Sequence, residues 1–138
     1  MEENITNGIA FALSQEFGDE YNIYTESIEQ GLKRPCFFIL HKGTKYDFLP
    51  MNRCIAYYEF ELDLIINEKL NQKINSITQR VFNAIKTVDC SDGYINAFDL
   101  QLESKEGSYK IQVVYCMSGR FNESGYDLME KLDINEGE

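Results

Sequence analysis

Three acids, Glu59, Glu61 and Asp63, stand at alternate positions in an apolar run and are the first candidates for chemistry. Alternation on a strand would put all three on one face, where they could hold a metal ion or move protons. Same-face neighbours on a strand lie about 7 Å apart, too far for one ion to take all three without ligands from elsewhere. Two other readings stand beside the metal one. An exposed face of an antiparallel sheet is normally polar and solvated. In a ring, an acidic face could line a channel through which DNA slides, repelled rather than gripped. The four cysteines, Cys36, Cys54, Cys90 and Cys116, are widely spaced with no C-x-x-C. They read as reduced core residues of a cytosolic protein. The single histidine, His41, lies near Cys36 but lacks the tightly spaced partners of a zinc site, and reads as a polar loop residue.

A second constellation is Asp92 or Asp99 followed by Glu103-Ser104-Lys105. It loosely resembles the acid and Glu-x-Lys arrangement of a nuclease family, in which acids hold Mg²⁺ and the Lys stabilises charge on the cleaved phosphate. The match is three residues long and falls at an expected hairpin turn, away from the buried strand such a site needs. No G-x-S-x-G, phosphate-cradling glycine loop or dinucleotide fingerprint is present, so neither Ser/His hydrolysis nor nucleotide binding is supported. No cofactor is expected.

The elements that carry these residues follow from periodicity. Ile5, Ile9, Leu13 and Phe17 form one stripe and predict a helix over 4–17, favoured by Glu2 and Glu3 at its N-terminal end and stopped by Gly18. Residues 23–28 read as a short strand and Gln30-Gly31 as a turn. Pro35 opens a strand over 36–40. Lys42-Gly43-Thr44-Lys45 reads as a loop, and 42–52 as an exposed, partner-facing loop. Residues 53–66 are the clearest strand. Cys54, Ala56, Tyr58, Phe60, Leu62, Leu64 and Ile66 form an apolar face opposite the three acids.

Asn67 as N-cap and the stripe Leu70, Ile74, Ile77, Val81, Ile85, Val88 predict a long helix over 67–88. Strands over 94–103 and 108–118 follow, marked by Tyr94, Phe98, Leu100 and Leu102 and by Tyr109, Ile111, Val113, Tyr115 and Met117, with a hairpin turn at 104–107. The fold class expected is α+β: a mostly antiparallel sheet with the N-terminal helix and one long central helix packed on one face.

One domain over 1–121 suits the 138-residue length, and 122–138 reads as an acidic tail. The tail holds six acids and one Lys, half of the net charge of −10, and is expected to be loosely held or ordered only on a partner. That charge, with Lys33-Arg34 the only basic pair, argues against a dedicated nucleic-acid binder. No apolar run nears the roughly 20 residues of a membrane helix. The acidic start Met1-Glu2-Glu3-Asn4 is unlike a signal peptide, so a cytoplasmic protein is expected. The nine Tyr and nine Phe suit both strands and protein contacts.

The order and residues of Ile5-Thr6-Asn7-Gly8-Ile9, Phe17-Gly18, Ile23-Tyr24, Gln30-Gly31 and Pro35-Cys36-Phe37-Phe38-Ile39 resemble the phage tail terminator proteins of Gram-positive bacteria and their prophages. The later long strand, helix and closing hairpin extend the likeness to near Asn122. The resemblance implies a small α+β subunit without catalysis, forming a hexameric ring that caps the tail tube, fixes tail length and presents a surface to the head–neck connector. It implies as partners further copies of the chain, the tail tube protein, a connector or neck protein and, in contractile tails, the sheath. It places the protein in the host cytoplasm during assembly and in the virion tail thereafter. A head–tail connector or tail-completion protein is the nearer alternative, and a small Mg²⁺-dependent nuclease the distant one. Within such a ring, exposure points to Lys42, Tyr46, Asp47, Phe48, Leu49 and Met51 as interface residues. Glu59, Glu61 and Asp63 are the residues expected to face the lumen.

Overall fold

Ile5, Ile9, Leu13 and Phe17 do form one buried stripe, on helix α1 (Glu2–Phe17). A computed structural model describes residues 1–25, 33, 35–66, 73–91, 93–105 and 108–120. Helix α1 stops where Gly18 takes a positive φ of 59° and donates its backbone N–H to the Ser14 carbonyl. A short 3₁₀ turn, Gly18–Glu20, leads to strand β1 (Asn22–Tyr24). The remainder of the strand expected over 23–28, and the Gln30-Gly31 turn, lie outside the described residues.

The next strand departs most from expectation. Strand β2 runs unbroken over Cys36–Leu49 and pairs antiparallel with β3 (Arg53–Ile65) along its whole length. Residues 42–49 are therefore strand, not loop, and His41 is a strand residue whose Nε2 lies 3.0 Å from the Thr44 hydroxyl. A bulge between His41 and Gly43 absorbs the Lys42-Gly43 pair that read as a loop. Only Pro50, Met51 and Asn52 form the hairpin turn.

The second helix is short rather than long and central: α2 spans Ile74–Ile85. Asn67, Glu68 and Leu70 lie outside the described residues. At its other end the chain leaves the helix at Lys86 and enters strand β4 (Thr87–Asp89). Val88 lies three residues past Ile85, so it fits a helical stripe. It is equally the inward residue of a three-residue strand, and it is buried in the core from there. Strands β5 (Tyr94–Lys105) and β6 (Ser108–Arg120) close the fold as an antiparallel pair.

The strands form one six-stranded sheet in the order β1-β2-β3-β6-β5-β4. Among the described residues all pairings are antiparallel except β1 with β2. The sheet is curled into a half-barrel, and the class is α+β. The core lies between α1, α2 and one sheet face. Phe37 and Ile39 of β2, the seven alternating residues from Cys54 to Ile66, and Ile111, Val113 and Tyr115 of β6 all point there. The buried Tyr115 hydroxyl donates to the Ile85 carbonyl at 2.7 Å, satisfying an acceptor at the end of α2 that has no intrahelical partner. Arg80 of α2 sits 4.4 Å over the Phe17 ring and donates to the Glu16 carbonyl, tying the two helices together.

Strand β5 has a bulge between Ala97 and Asp99, which changes which residues point inward. Before it Ile95 is buried; after it Leu100 faces the core. Tyr94 and Phe98, which marked the expected strand, are 77% and 66% exposed, and Leu102 is also exposed. The two bulges lie in one cross-strand row, because Gly43 and Val114 both oppose Glu59, and Asp99 opposes Val114. The half of the sheet holding the β2–β3 turn lies on one side of this row.

Candidate assembly surface

The N-terminal end of α1 touches the β2–β3 hairpin. Contact with the helix reaches Thr44, whose hydroxyl lies 3.3 Å from Glu2 Oε1. Beyond it Tyr46 and Phe48 stay on the same sheet face, opposite Ala56 and Cys54, but their rings are 42% and 65% exposed. They stack with centroids 6.5 Å apart. Leu49 is partly exposed, and Met51 at the turn is 85% exposed. Met51 and Asn52 have φ of 66° and 58°, the left-handed region that a side chain such as Met disfavours. A large apolar residue thus occupies a strained, exposed position that Gly would fill more easily. Of the candidate interface residues, Tyr46, Phe48, Leu49 and Met51 gather into one apolar tip. Lys42 stands at the bulge, and Lys45 and Asp47 form an exposed ion pair of 3.9 Å.

The three acids sit on the sheet face away from the helices, but unequally. Glu59 is exposed, Asp63 half-buried, and Glu61 only 5% exposed. The evenly solvated face expected from alternation is therefore corrected at Glu61. Alternation also does not reveal its partner: Lys110 of β6 lies opposite Asp63 and brings its Nζ to 3.7 Å from Glu61 Oε2. Asp63 Oδ1 is buried with no donor among the described residues. Burial first, and then the adjoining Glu61 carboxyl, push the Asp63 pKa up to about 6, against the pull of Lys110 and Lys42. A proton on Asp63 gives the pair a hydrogen bond that two carboxylates lack.

A second aromatic patch was not foreseen as surface. Phe98, the extra residue of the β5 bulge, packs edge-on against Tyr57 of β3 at 5.5 Å, leaving most of its ring exposed. Its signal in the sequence was indistinguishable from that of a core residue. Of the nuclease-like acids, the two described ones lie on one strand, four residues apart. Asp99 accepts from Gln101 at 2.9 Å, and Glu103 lies within strand β5 rather than at a turn. Asp92 lies outside the described residues. Among the described residues no three His, Cys, Asp or Glu side chains gather as a metal site. Cys36, Cys54 and Cys90 are buried thiols and Cys116 a half-buried one. No helix among the described residues is long and apolar enough to cross a membrane.

A family model described as phage tail terminator protein matches residues 4–125, which span nearly all of the chain. The chain belongs to the phage tail terminator family, a structural family of the phage tail. A search of curated proteins gave no significant match.

Proposed function

We propose that the protein is the subunit of a homo-hexameric ring that caps the phage tail tube, fixes tail length and offers the head–neck connector its docking surface. It acts by shape and contact, without catalysis or cofactor. One ring face reproduces the joining edge of the tube, so the ring adds to the last tube layer. The other face lacks that edge, so growth stops there.

The observation that carries this reading, beside family membership, is the apolar tip of the β2–β3 hairpin. Exposed aromatics and methionine are favoured at the centres of protein interfaces and are unfavourable in water. A strained left-handed Met at the tip is a cost that a contact surface would justify. Tyr46, Phe48, Leu49 and Met51 are thus the residues assigned to contact with the tube or connector, with Lys42 and Asp47 at their rim. The face carrying Glu59, Glu61 and Asp63 is assigned to the lumen. Glu59 supplies repulsion for passing DNA there, while Glu61 is largely neutralised by Lys110.

The test is tube growth in vitro. Tail tube protein of the same phage should polymerise without limit alone and stop on addition of the purified chain, with rings visible at tube ends by negative stain. Tubes that grow on unaffected, with bare ends, would remove the proposal.

A further inference from the structure

The outward surface of the two helices is almost without charge. Between Glu3 and Glu16 the chain has no acid and no base, and α2 has Arg80 alone. At the chain's average of 26% charged residues, 4–15 and α2 together would carry about six. Arg80 itself is turned along the layer: its guanidinium lies over the Phe17 ring and reaches Glu16 and Glu20 at 3.9 and 4.0 Å.

Two stripes make up this surface. Asn7, Phe11 and Ser14 follow the helical period on α1, turned from the buried Ile5, Ile9 and Leu13. Ser76, Gln79 and Asn83 do the same on α2, turned from the buried Ile77, Val81 and Ile85. All six are exposed, and Phe11 is 62% exposed. A single exposed phenylalanine is ordinary. Its setting is not. The outer face of a surface helix normally carries charged residues. Loss of charge around an exposed aromatic is instead the mark of an interface centre.

We propose that this charge-free helical face is a self-association surface, on which a second copy of the chain packs about a two-fold axis. It is a contact separate from the hairpin tip and from the acidic sheet face, and so goes beyond the capping role.

The residue types select the occupant. A side chain near a two-fold axis meets its own copy. A charged one would there face a like charge. Ser, Asn and Gln each carry both a donor and an acceptor, so each can pair with itself. Two Phe rings pack on one another offset or edge-on. Every exposed polar residue of the two stripes is of this self-pairing kind. Net charge points the same way. Copies of a chain of net charge −10 repel one another, and they do so least through a face that holds no charge. A basic partner would find nothing to pair with here.

Phe11→Asp tests the contact at an exposed position, and circular dichroism checks that the fold is kept. The unaltered chain should pass from monomer to dimer with rising concentration in sedimentation. Phe11→Asp should weaken that dimer by about tenfold or more, because two like charges then meet. Phe11→Lys should do the same alone, and an equimolar mixture of the two variants should form a heterodimer. Phe11→Cys should oxidise to a covalent dimer and no further, with peptide mapping placing the disulfide between position 11 of both copies. A head-to-tail contact would not bring one residue to its own copy. Phe11→Asp should still stop growth of tail tubes, since the hairpin tip is untouched. An unaltered chain that stays monomeric would overturn the self-contact and leave capping standing. So would association that Phe11→Asp does not move and that gives no disulfide between copies of position 11. A monomeric chain whose capping is lost on Phe11→Asp would give the face to a different protein, and would also overturn the self-contact.

Discussion

The Glu61 carboxylate and the Lys110 ammonium lie 3.7 Å apart on the sheet face turned away from both helices, and Glu61 is almost wholly enclosed there. Asp63, two residues on, is left to share what remains of that positive charge, and its acidity is weakened to a pKa of about 6 against an ordinary 3.8. A carboxyl whose pKa is higher in the fold than in the unfolded chain holds its proton more tightly when folded. Its contribution to stability is therefore fully present below about pH 4 and is lost as pH rises toward about 6. Asp63→Asn keeps the shape and removes the titration. The variant should gain on the parent chain by more at pH 7.5 than at pH 4, read as the shift in urea midpoint at each pH. An equal difference at both would show that Asp63 is not strained by its neighbours.

Gly8 makes a prediction whose sign opposes helix propensity. An alanine inside a helix normally gains about 1 kcal/mol over glycine. A Cβ at Gly8 would lie 2.4 Å from the Asp89 carbonyl oxygen of β4 and 3.2 Å from its carbon. Both are backbone atoms, so α1 would have to lift from the sheet edge. Overpacking of this kind costs about 1–3 kcal/mol, enough to reverse the propensity gain. Gly8→Ala should lower the urea midpoint. A variant as stable as the parent would mean that α1 does not approach β4 this closely.

Much of this fold can be read from its residues wherever one face is buried along a whole element. The seven alternating residues from Cys54 to Ile66 and the stripe from Ile5 to Phe17 are core because each meets the other across a single layer. The reading failed where that condition failed. In the outer half of β2 Tyr46 and Phe48 alternate with Lys45 and Asp47, but the bulge at Lys42 and Gly43 interrupts the pattern, so Lys42-Gly43-Thr44-Lys45 looks like a loop although it is a bulged strand. In β5 the bulge at Phe98 switches the inward side from odd to even numbers, so Tyr94 and Phe98 pass for core residues. The partner of the buried Glu61, Lys110, is brought alongside by strand pairing and not by nearness in the chain. The apolar residues of the hairpin tip were legible as candidates by type, but their gathering at one turn required the β2–β3 register.

That turn gives the sharpest separation of stability from function. Met51 holds a φ of 66°, a conformation costing an L-residue about 1–2 kcal/mol and glycine almost nothing. Met51→Gly also loosens the unfolded chain, which offsets part of the gain by about 0.4–1 kcal/mol. The variant should therefore fold at least as stably as the parent in urea, by about 0–1.6 kcal/mol. The same change deletes a side chain that is 85% exposed in the isolated subunit. If the tip seats against tube or connector, losing that apolar contact removes about 1.5–3 kcal/mol of binding, a tenfold or greater loss. Tube-end occupancy counted by negative stain across protein concentration measures it. A variant that is more stable yet caps less well identifies Met51 as a contact kept against the preference of its own backbone. Unchanged capping would move the contact surface elsewhere on the ring.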